Sequence, residues 1–326
     1  MTDHAKIADT LETLRNLHVG SPRDAEFASH LDRLLKRDTS GKLLPEALRF
    51  TSTGETRGIL VIDGPGGGKS TLVQRGLFRH PVFSQKPEGH SLYLDIVVPS
   101  PATLKSVTQE LLTRSGYPLK SGRSEVWSQL QVFRERLHML GIAVLWIDEA
   151  HDLFCADRNL ILRAVKTLMQ GEHPVIVILS GTERLREIIR TDAQVKRRFS
   201  TINLKPVAVH TDKEQFAALI EQYCARAELE PPQQEDLVDR LFHASRYRFG
   251  RCIETINAAI EQALNQDDAA LDIWHFSEAW AFDEGCALDQ NVFEAPEWWT
   301  IDPDASDEEE EPRKRVKRKR KQRERA

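Results

Sequence analysis

Residues 58–79 (GILVIDGPGGGKSTLVQRGLFR) constrain this chain more than any other stretch. The apolar run 58–62 has the length of a buried strand. A glycine-rich turn follows, Gly64-Pro65-Gly66-Gly67-Gly68, and Lys69-Ser70-Thr71 then opens a helical segment reaching about residue 79. Strand, glycine loop and helix in that order make a phosphate-binding loop of the Walker A kind. The glycines let backbone N–H groups converge on phosphate oxygens, and the helix N-terminus adds partial positive charge. Lys69 then reaches the β- and γ-phosphates of a nucleotide, and the Ser70 hydroxyl is a ligand for Mg²⁺. The consensus starts with glycine at the place where this chain has Asp63. Either Asp63 begins a loop of normal length or the loop is one residue short. A carboxylate repels phosphate, so Asp63 is expected to point away from the loop.

Further apolar runs of strand length lie at 92–98, 142–147, 175–179 and 200–204. Helical segments at about 101–115, 123–140 and 157–170 separate them. Strands alternating with helices predict an α/β fold with a parallel five-stranded sheet covered on both faces. Two helical segments, 5–18 and 24–36, precede the sheet, and 37–55 reads as loop. Beyond Pro206 only helices are predicted, at 212–227, 233–245, 250–265 and 274–283. The chain is thereby divided into an N-terminal helical entry segment (1–56), an α/β nucleotide-binding domain (57–206), a small helical lid (207–284) and a last portion (285–326). In that last portion the aromatic stretch NVFEAPEWW either packs on the lid or serves as a docking peptide.

Composition narrows the function classes. Hydrophobic residues make up 40%, which excludes global disorder. The four cysteines (Cys155, Cys224, Cys252, Cys286) form no C-x-x-C pair, so neither zinc nor a disulfide framework is indicated. No apolar run is long enough to span a membrane, and the polar N-terminus carries no signal-peptide pattern, so a cytoplasmic protein is expected. The net charge of −5 conceals an asymmetry, because residues 313–326 carry ten of the 45 Lys and Arg residues. That tail suits nucleic-acid backbone, with the acidic run 307–311 available to screen it.

The third strand of the sheet ends in Asp148-Glu149, a Walker B pattern. Asp148 is expected to hold Mg²⁺ and Glu149 to orient and deprotonate the attacking water. The fourth strand ends at Ser180-Gly181-Thr182. If the sheet inserts this strand between the first and third, these polar residues are candidates for sensing the γ-phosphate, while Thr182 also suits the cap of a helix starting at Glu183. Lys196-Arg197-Arg198-Phe199 precedes the fifth strand. An arginine exposed there reaches the nucleotide of a neighbouring subunit, with Arg198 preferred and Arg197 second; the alternative is a solvated basic face. Arg251, with Arg248 as competitor, is the candidate lid arginine for phosphate. His151 reads as a structural residue, with no cluster for a metal beyond Mg²⁺.

These pieces in this order resemble an AAA+ ATPase, and more narrowly the TniB/TnsC-type transposition ATPases. HVGSPRDAEFASHLDRLL is similar to that family's entry segment, IDEAHDLF to its Walker B region, and SGTERLREIIRTDAQVKRRF to its stretch ending in Arg-Phe. The resemblance covers about residues 10–283. It implies an AAA+ sheet with a helical lid, binding of ATP and Mg²⁺, and ATPase activity. Val19 and Arg23 would then pack near the adenine. The family's members are bacterial, nucleoid-associated regulators that form rings or helical homo-oligomers, hexamer- or heptamer-like, on double-stranded DNA. They mark a target, recruit a DDE transposase, work with a TniQ-like adaptor, and disassemble on hydrolysis. Lys105, Lys120 and Arg123 are candidate DNA contacts, although ordinary surface charge explains them as well. The alternatives are a protein-docking ATPase of the ExeA kind and an initiator-type loader. A loader would be expected to add a winged-helix domain, for which the residues after 283 are too few.

Overall fold

Two helices open the chain in the computed structural model, α1 (His4–Arg15) and α2 (Pro22–Asp32). The description covers residues 4–84, 91–117, 125–154 and 158–304. Pro22 sits in the first turn of α2, where its missing N–H costs nothing. The Ser21 N–H just before it donates to Asp24 at 2.8 Å. Helix α2 stops at Asp32, earlier than expected, because Leu35–Arg37 leaves as a strand, β1. It pairs antiparallel with β2 (Leu43–Ala47), so the segment read as loop contains a hairpin. Asp38 closes its turn, accepting from the N–H of Ser40 at 2.8 Å and of Lys42 at 3.0 Å.

Strand β3 (Gly58–Ile62) is buried throughout and leads through the glycine loop into α3 (Lys69–Arg79) and the short α4 (Pro81–Ser84). Then come β4 (Tyr93–Val97), α5 (Leu104–Arg114), α6 (Val126–Met139) and β5 (Val144–Asp148). After them lie α7 (Arg158–Leu168), β6 (Ile176–Gly181), α8 (Glu183–Arg190), α9 (Ala193–Lys196) and β7 (Phe199–Asn203). The five strands from β3 onward form one parallel sheet in the order β4-β5-β6-β3-β7. Strand β6 therefore lies between β3 and β5.

Alternate residues of each inner strand feed opposite faces. Leu60, Ile62, Leu145 and Ile147 join a core with α5, α6 and α7, through Leu111, Phe133 and Ile161. Ile59, Val61, Val144 and Trp146 join a second core with α2 and α3, through Phe27, Leu31 and Val73. Burial on both faces explains why these strands read as unbroken apolar runs.

The remaining helices, α10 (Val209–Ala227), α11 (Leu237–Ala244), α12 (Phe249–Gln266) and α13 (Ile273–Glu284), form a bundle with its own core. Phe216 and Phe242 meet edge to face at 4.9 Å in its centre. Helix α1 adds Leu11 and Leu14 to this core, whereas α2 packs on the sheet, so the N-terminal segment is shared between both parts. The aromatic stretch after α13 also packs on the bundle. Val292 and Phe293 are buried, Asn291 Nδ2 donates to the Ser277 carbonyl at 2.9 Å, and Arg240 donates to the Val292 and Ala295 carbonyls at 2.8 and 3.0 Å. The acidic run 307–311 and the basic tail lie outside the described residues.

If residues 291–295 are part of the bundle core, Phe293→Ala should cost about 3–5 kcal/mol. Equilibrium urea unfolding checks this; a loss below about 1 kcal/mol would place the segment outside the core.

Candidate functional site

The loop that follows β3 runs from Asp63 to Gly68 and has normal length. Its start is anchored by the Asp63 N–H, which donates to the Gly181 carbonyl at 3.2 Å, and α3 begins at Lys69. Gly68 is the left-handed N-cap of α3. Gly67 has no room for a side chain, since a Cβ there would overlap the Asp63 carboxylate. Lys69 is 5% exposed, and its Nζ donates to the Gly64 carbonyl at 2.8 Å. Ser70 and Thr71 complete the first turn of α3, beside the free N–H groups of the helix end. A buried ammonium, a glycine cradle and a helix N-terminus in one place fit the phosphates of a nucleotide.

Asp63 corrects an expectation. Its carboxylate does not turn away. It is buried inside the loop, accepts from the Gly64 N–H at 2.7 Å, and is paired with the Arg248 guanidinium. The arginine supplies the counter-charge that makes a carboxylate tolerable there.

Parallel register brings Asp148 to the same edge as the loop. Asp148 is buried, and its Oδ1 accepts from Ser180 Oγ at 2.6 Å and from the Glu149 N–H at 3.0 Å. Ser180 in turn accepts from Trp146 Nε1 at 2.8 Å. Fully buried between these two partners, Ser180 orients Asp148 and is not an open phosphate sensor. Thr182 occupies the N-cap of α8 without a side-chain cap bond. Glu149 has φ +51°, a left-handed conformation that costs a non-glycine residue about 1–2 kcal/mol. Its carboxylate is 43% exposed and 3.3 Å from His151 Nδ1. That nitrogen is buried and the approach does not make a hydrogen bond. Among the described residues no cluster of three His, Cys, Asp or Glu side chains stands ready for a metal ion. Asp148 and Ser70 suit Mg²⁺ carried in with a nucleotide, which supplies most of its own oxygen ligands.

Beside the loop, a cavity of about 260 Å³ is lined by Val19, Arg23, Gly68, Thr71, Phe249 and Ile253, among others. The entry segment, the loop and α12 thus enclose it together. Arg23 donates to the Gly67 carbonyl at 3.3 Å and lies over the Phe249 ring at 5.0 Å. Burial lowers the Arg23 pKa, opposed by Asp63 and Asp212. Burial likewise lowers the pKa of the lining His18, although Asp24, 3.2 Å from its Nε2, opposes this. A larger cavity, about 640 Å³, lies between the hairpin and the start of β5 and contains no loop residue.

Both candidate lid arginines reach the loop. The Arg251 N–H donates to the Gly66 carbonyl at 3.0 Å, and its methylenes cover Gly66. Arg248, the competitor, presents its guanidinium to Asp63 and Gly64. Arg197 and Arg198 are elsewhere. Phe199 pairs with Gly58, at the start of β3, so both arginines stand one strand length, about 16 Å, from the loop of their own chain. The preference for Arg198 as an exposed group is corrected. Arg198 is 5% exposed, 2.6 Å from Glu55, and donates to the Lys166 carbonyl and Gln170. Arg197 is the outward member, with its side chain 57% exposed and 2.7 Å from Glu55. Of the candidate DNA contacts, Lys105 is exposed near the start of α5, while Lys120 and Arg123 fall outside the described residues.

Sequence reasoning missed Glu55, which holds both arginines, and Phe249, which walls the cavity. Neither belongs to a motif. It also missed the Asp63–Arg248 pair, whose members are 185 residues apart.

Solved structures share this architecture. The chain resembles Cdc6p from Pyrobaculum aerophilum (12% identity, 86% of this chain and 75% of that one, TM-score 0.59). It also resembles the Aeropyrum pernix ORC1 protein in complex with DNA (18% identity, 83% and 67%, TM-score 0.58). A third likeness is to the Aeropyrum pernix ORC2 protein in ADPNP-ADP complexes (14% identity, 74% and 68%, TM-score 0.53). The fold is that of the AAA+ P-loop ATPases. No curated protein matches. The family described as Bacterial TniB protein matches residues 36–208, more than half of the chain, with the phosphate loop, Asp148-Glu149 and Arg197 inside the match. This chain belongs to the bacterial TniB family.

Proposed function

We propose that this protein is an ATP-dependent, DNA-binding AAA+ regulator of transposition. It oligomerises on duplex DNA, marks a target site and recruits a DDE transposase, directly or through a TniQ-like adaptor. Hydrolysis of ATP to ADP and phosphate drives disassembly. One observation carries this reading. In a TniB-family chain, the loop, Asp148-Glu149 and the bundle meet at one edge of the sheet, while an exposed arginine stands at the other. Such a site is completed only by a second copy of the chain.

The roles follow from position and chemistry. Lys69 and the loop N–H groups bind the phosphates, and Val19 and Arg23 flank the base. Ser70 and Asp148 hold Mg²⁺, which neutralises phosphate charge. Glu149 orients the attacking water and takes its proton. Its strained backbone fits a residue held for function over stability. Arg197 of a neighbouring copy stabilises the charge that develops in the transition state. DNA backbone is met by a few residues per subunit, with avidity from many subunits. Lys105 is the candidate on the described surface, and the basic tail 313–326 is a second element.

The initiator-type reading has the ORC and Cdc6 likenesses on its side, and one relative was captured with DNA. Those likenesses carry the fold alone. No helix of the described residues is long and apolar enough to cross a membrane. A cytoplasmic, nucleoid-associated location belongs to the proposal.

Negative-stain electron microscopy with duplex DNA tests the reading. Rings or filaments should appear on DNA with a slowly hydrolysed ATP analogue, and be absent with ADP or for Lys69→Ala. Oligomers indifferent to DNA would favour a protein-docking ATPase instead. In a phosphate-release assay, Glu149→Gln should lower ATP turnover about 10²-fold or more while nucleotide binding persists. It should also prolong the DNA-bound assembly. Turnover within about threefold of wild type would remove Glu149 from the role of base.

A further inference from the structure

The N-terminus of α12 rests directly on the phosphate loop. A Cβ on Gly250 would lie 2.5 Å from the Gly66 carbonyl oxygen and 3.1 Å from the Gly68 nitrogen, so only glycine permits this approach. The Arg251 N–H bond to Gly66 holds the contact. The residue just before α12, Arg248, reaches past this contact to Asp63, and its guanidinium lies against Gly64. Lys69 Nζ ends at the same residue, 2.8 Å from the Gly64 carbonyl. Two cations, one from α3 and one from the lid, therefore flank the end of the loop where Lys69 would meet the terminal phosphate.

Asp63 is the only carboxylate among the described residues bonded to the loop, and it occupies bonds that suit a phosphate oxygen. It accepts a loop N–H and pairs with the lid arginine. Its side chain is 3% exposed, whereas that of Arg248 is 32% exposed. The anion is fixed, and the cation keeps an open side from which to leave.

On the nucleotide-site reading proposed above, we infer that Asp63 is an internal competitor for Arg248 and holds down the preference for nucleoside triphosphate over diphosphate. In the empty site Arg248 stays with Asp63. A diphosphate does not reach Gly64 and leaves the pair intact. A triphosphate places its terminal phosphate, the more highly charged anion, between Lys69 and Arg248 and draws Arg248 across. Because Arg248 directly precedes α12, this transfer couples the identity of the nucleotide to the lid. Asp63 and Arg248 thus act as positioning and specificity residues without changing the chemistry. The glycine-to-aspartate departure gains a function: it restrains the site's response to the third phosphate, which must first win Arg248 from Asp63.

Isothermal calorimetry with ADP and with a non-hydrolysable ATP analogue tests this on the full chain, its Asp63→Asn and Arg248→Gln variants and the double variant. Asp63→Asn keeps an acceptor for the Gly64 N–H and removes the charge. It should strengthen analogue binding about tenfold relative to ADP. Arg248→Gln should reduce the preference by a similar factor, and the double variant should match Arg248→Gln. A preference unchanged within about twofold in Asp63→Asn overturns the proposal. If Asp63→Asn does not fold, Arg248→Gln decides, and an unchanged preference there overturns it equally. A folded wild-type chain that binds neither nucleotide overturns the nucleotide-site reading, and this proposal with it.

Discussion

Parallel register across β3, β6 and β5 is the constraint on which the rest of the structure depends. Ile62 pairs with Gly181, Ile147 with Leu179, and the three strands end at one level. That alignment puts the start of the phosphate loop in bonding range of Gly181, and Ser180 in bonding range of Asp148. The Ser180 hydroxyl then fixes Asp148, and Trp146 fixes Ser180. A one-residue slip of β5 would turn Asp148 toward the opposite face and break this chain. Cores on both faces of the sheet make such a slip costly, because it would also exchange Trp146 with Ile147.

The second constraint is electrostatic. Lys69, Arg23, Arg248 and Arg251 converge with two helix N-termini around a few loop residues. Such a concentration of positive charge needs an anion to be stable when no ligand is bound. Asp63 serves as that anion. The same logic governs the opposite edge of the sheet, where Glu55 receives both Arg197 and Arg198. Burial decides between those two arginines. Arg198 is enclosed and also bonded to α7 and the turn after it, so it is committed to its own chain. Arg197 shares Glu55 but keeps its side chain 57% exposed, so it is the arginine we assign to a neighbouring copy.

Much of this was legible in the sequence because the signals are local. The loop, the Asp148-Glu149 pair and the five apolar runs each occupy a few consecutive residues, and they pointed to a five-stranded parallel sheet. What escaped notice depends on tertiary contacts. Strand β1 is three residues long and β2 contains Pro45, so neither carries the alternation that marks a strand. Arg197 and Arg198 are adjacent in the short link between α9 and β7, where neither the helical nor the strand period tells in advance which one is buried. Asp63 was visible as an anomaly, but its partner lies in another part of the fold. Nor does spacing tell that α1 belongs with the bundle and α2 with the sheet.

The central claim is that the catalytic site is shared between neighbouring copies, with Glu149 from one and Arg197 from the next. Mixing two inactive variants tests it most directly. Arg197→Ala retains Glu149, and Glu149→Gln retains Arg197, so a mixed assembly on DNA contains some intact interfaces. The account predicts that an equimolar mixture regains about a quarter of wild-type ATP turnover per subunit, although each variant alone is nearly inactive. A mixture no more active than the sum of its components, with assembly intact, would contradict it.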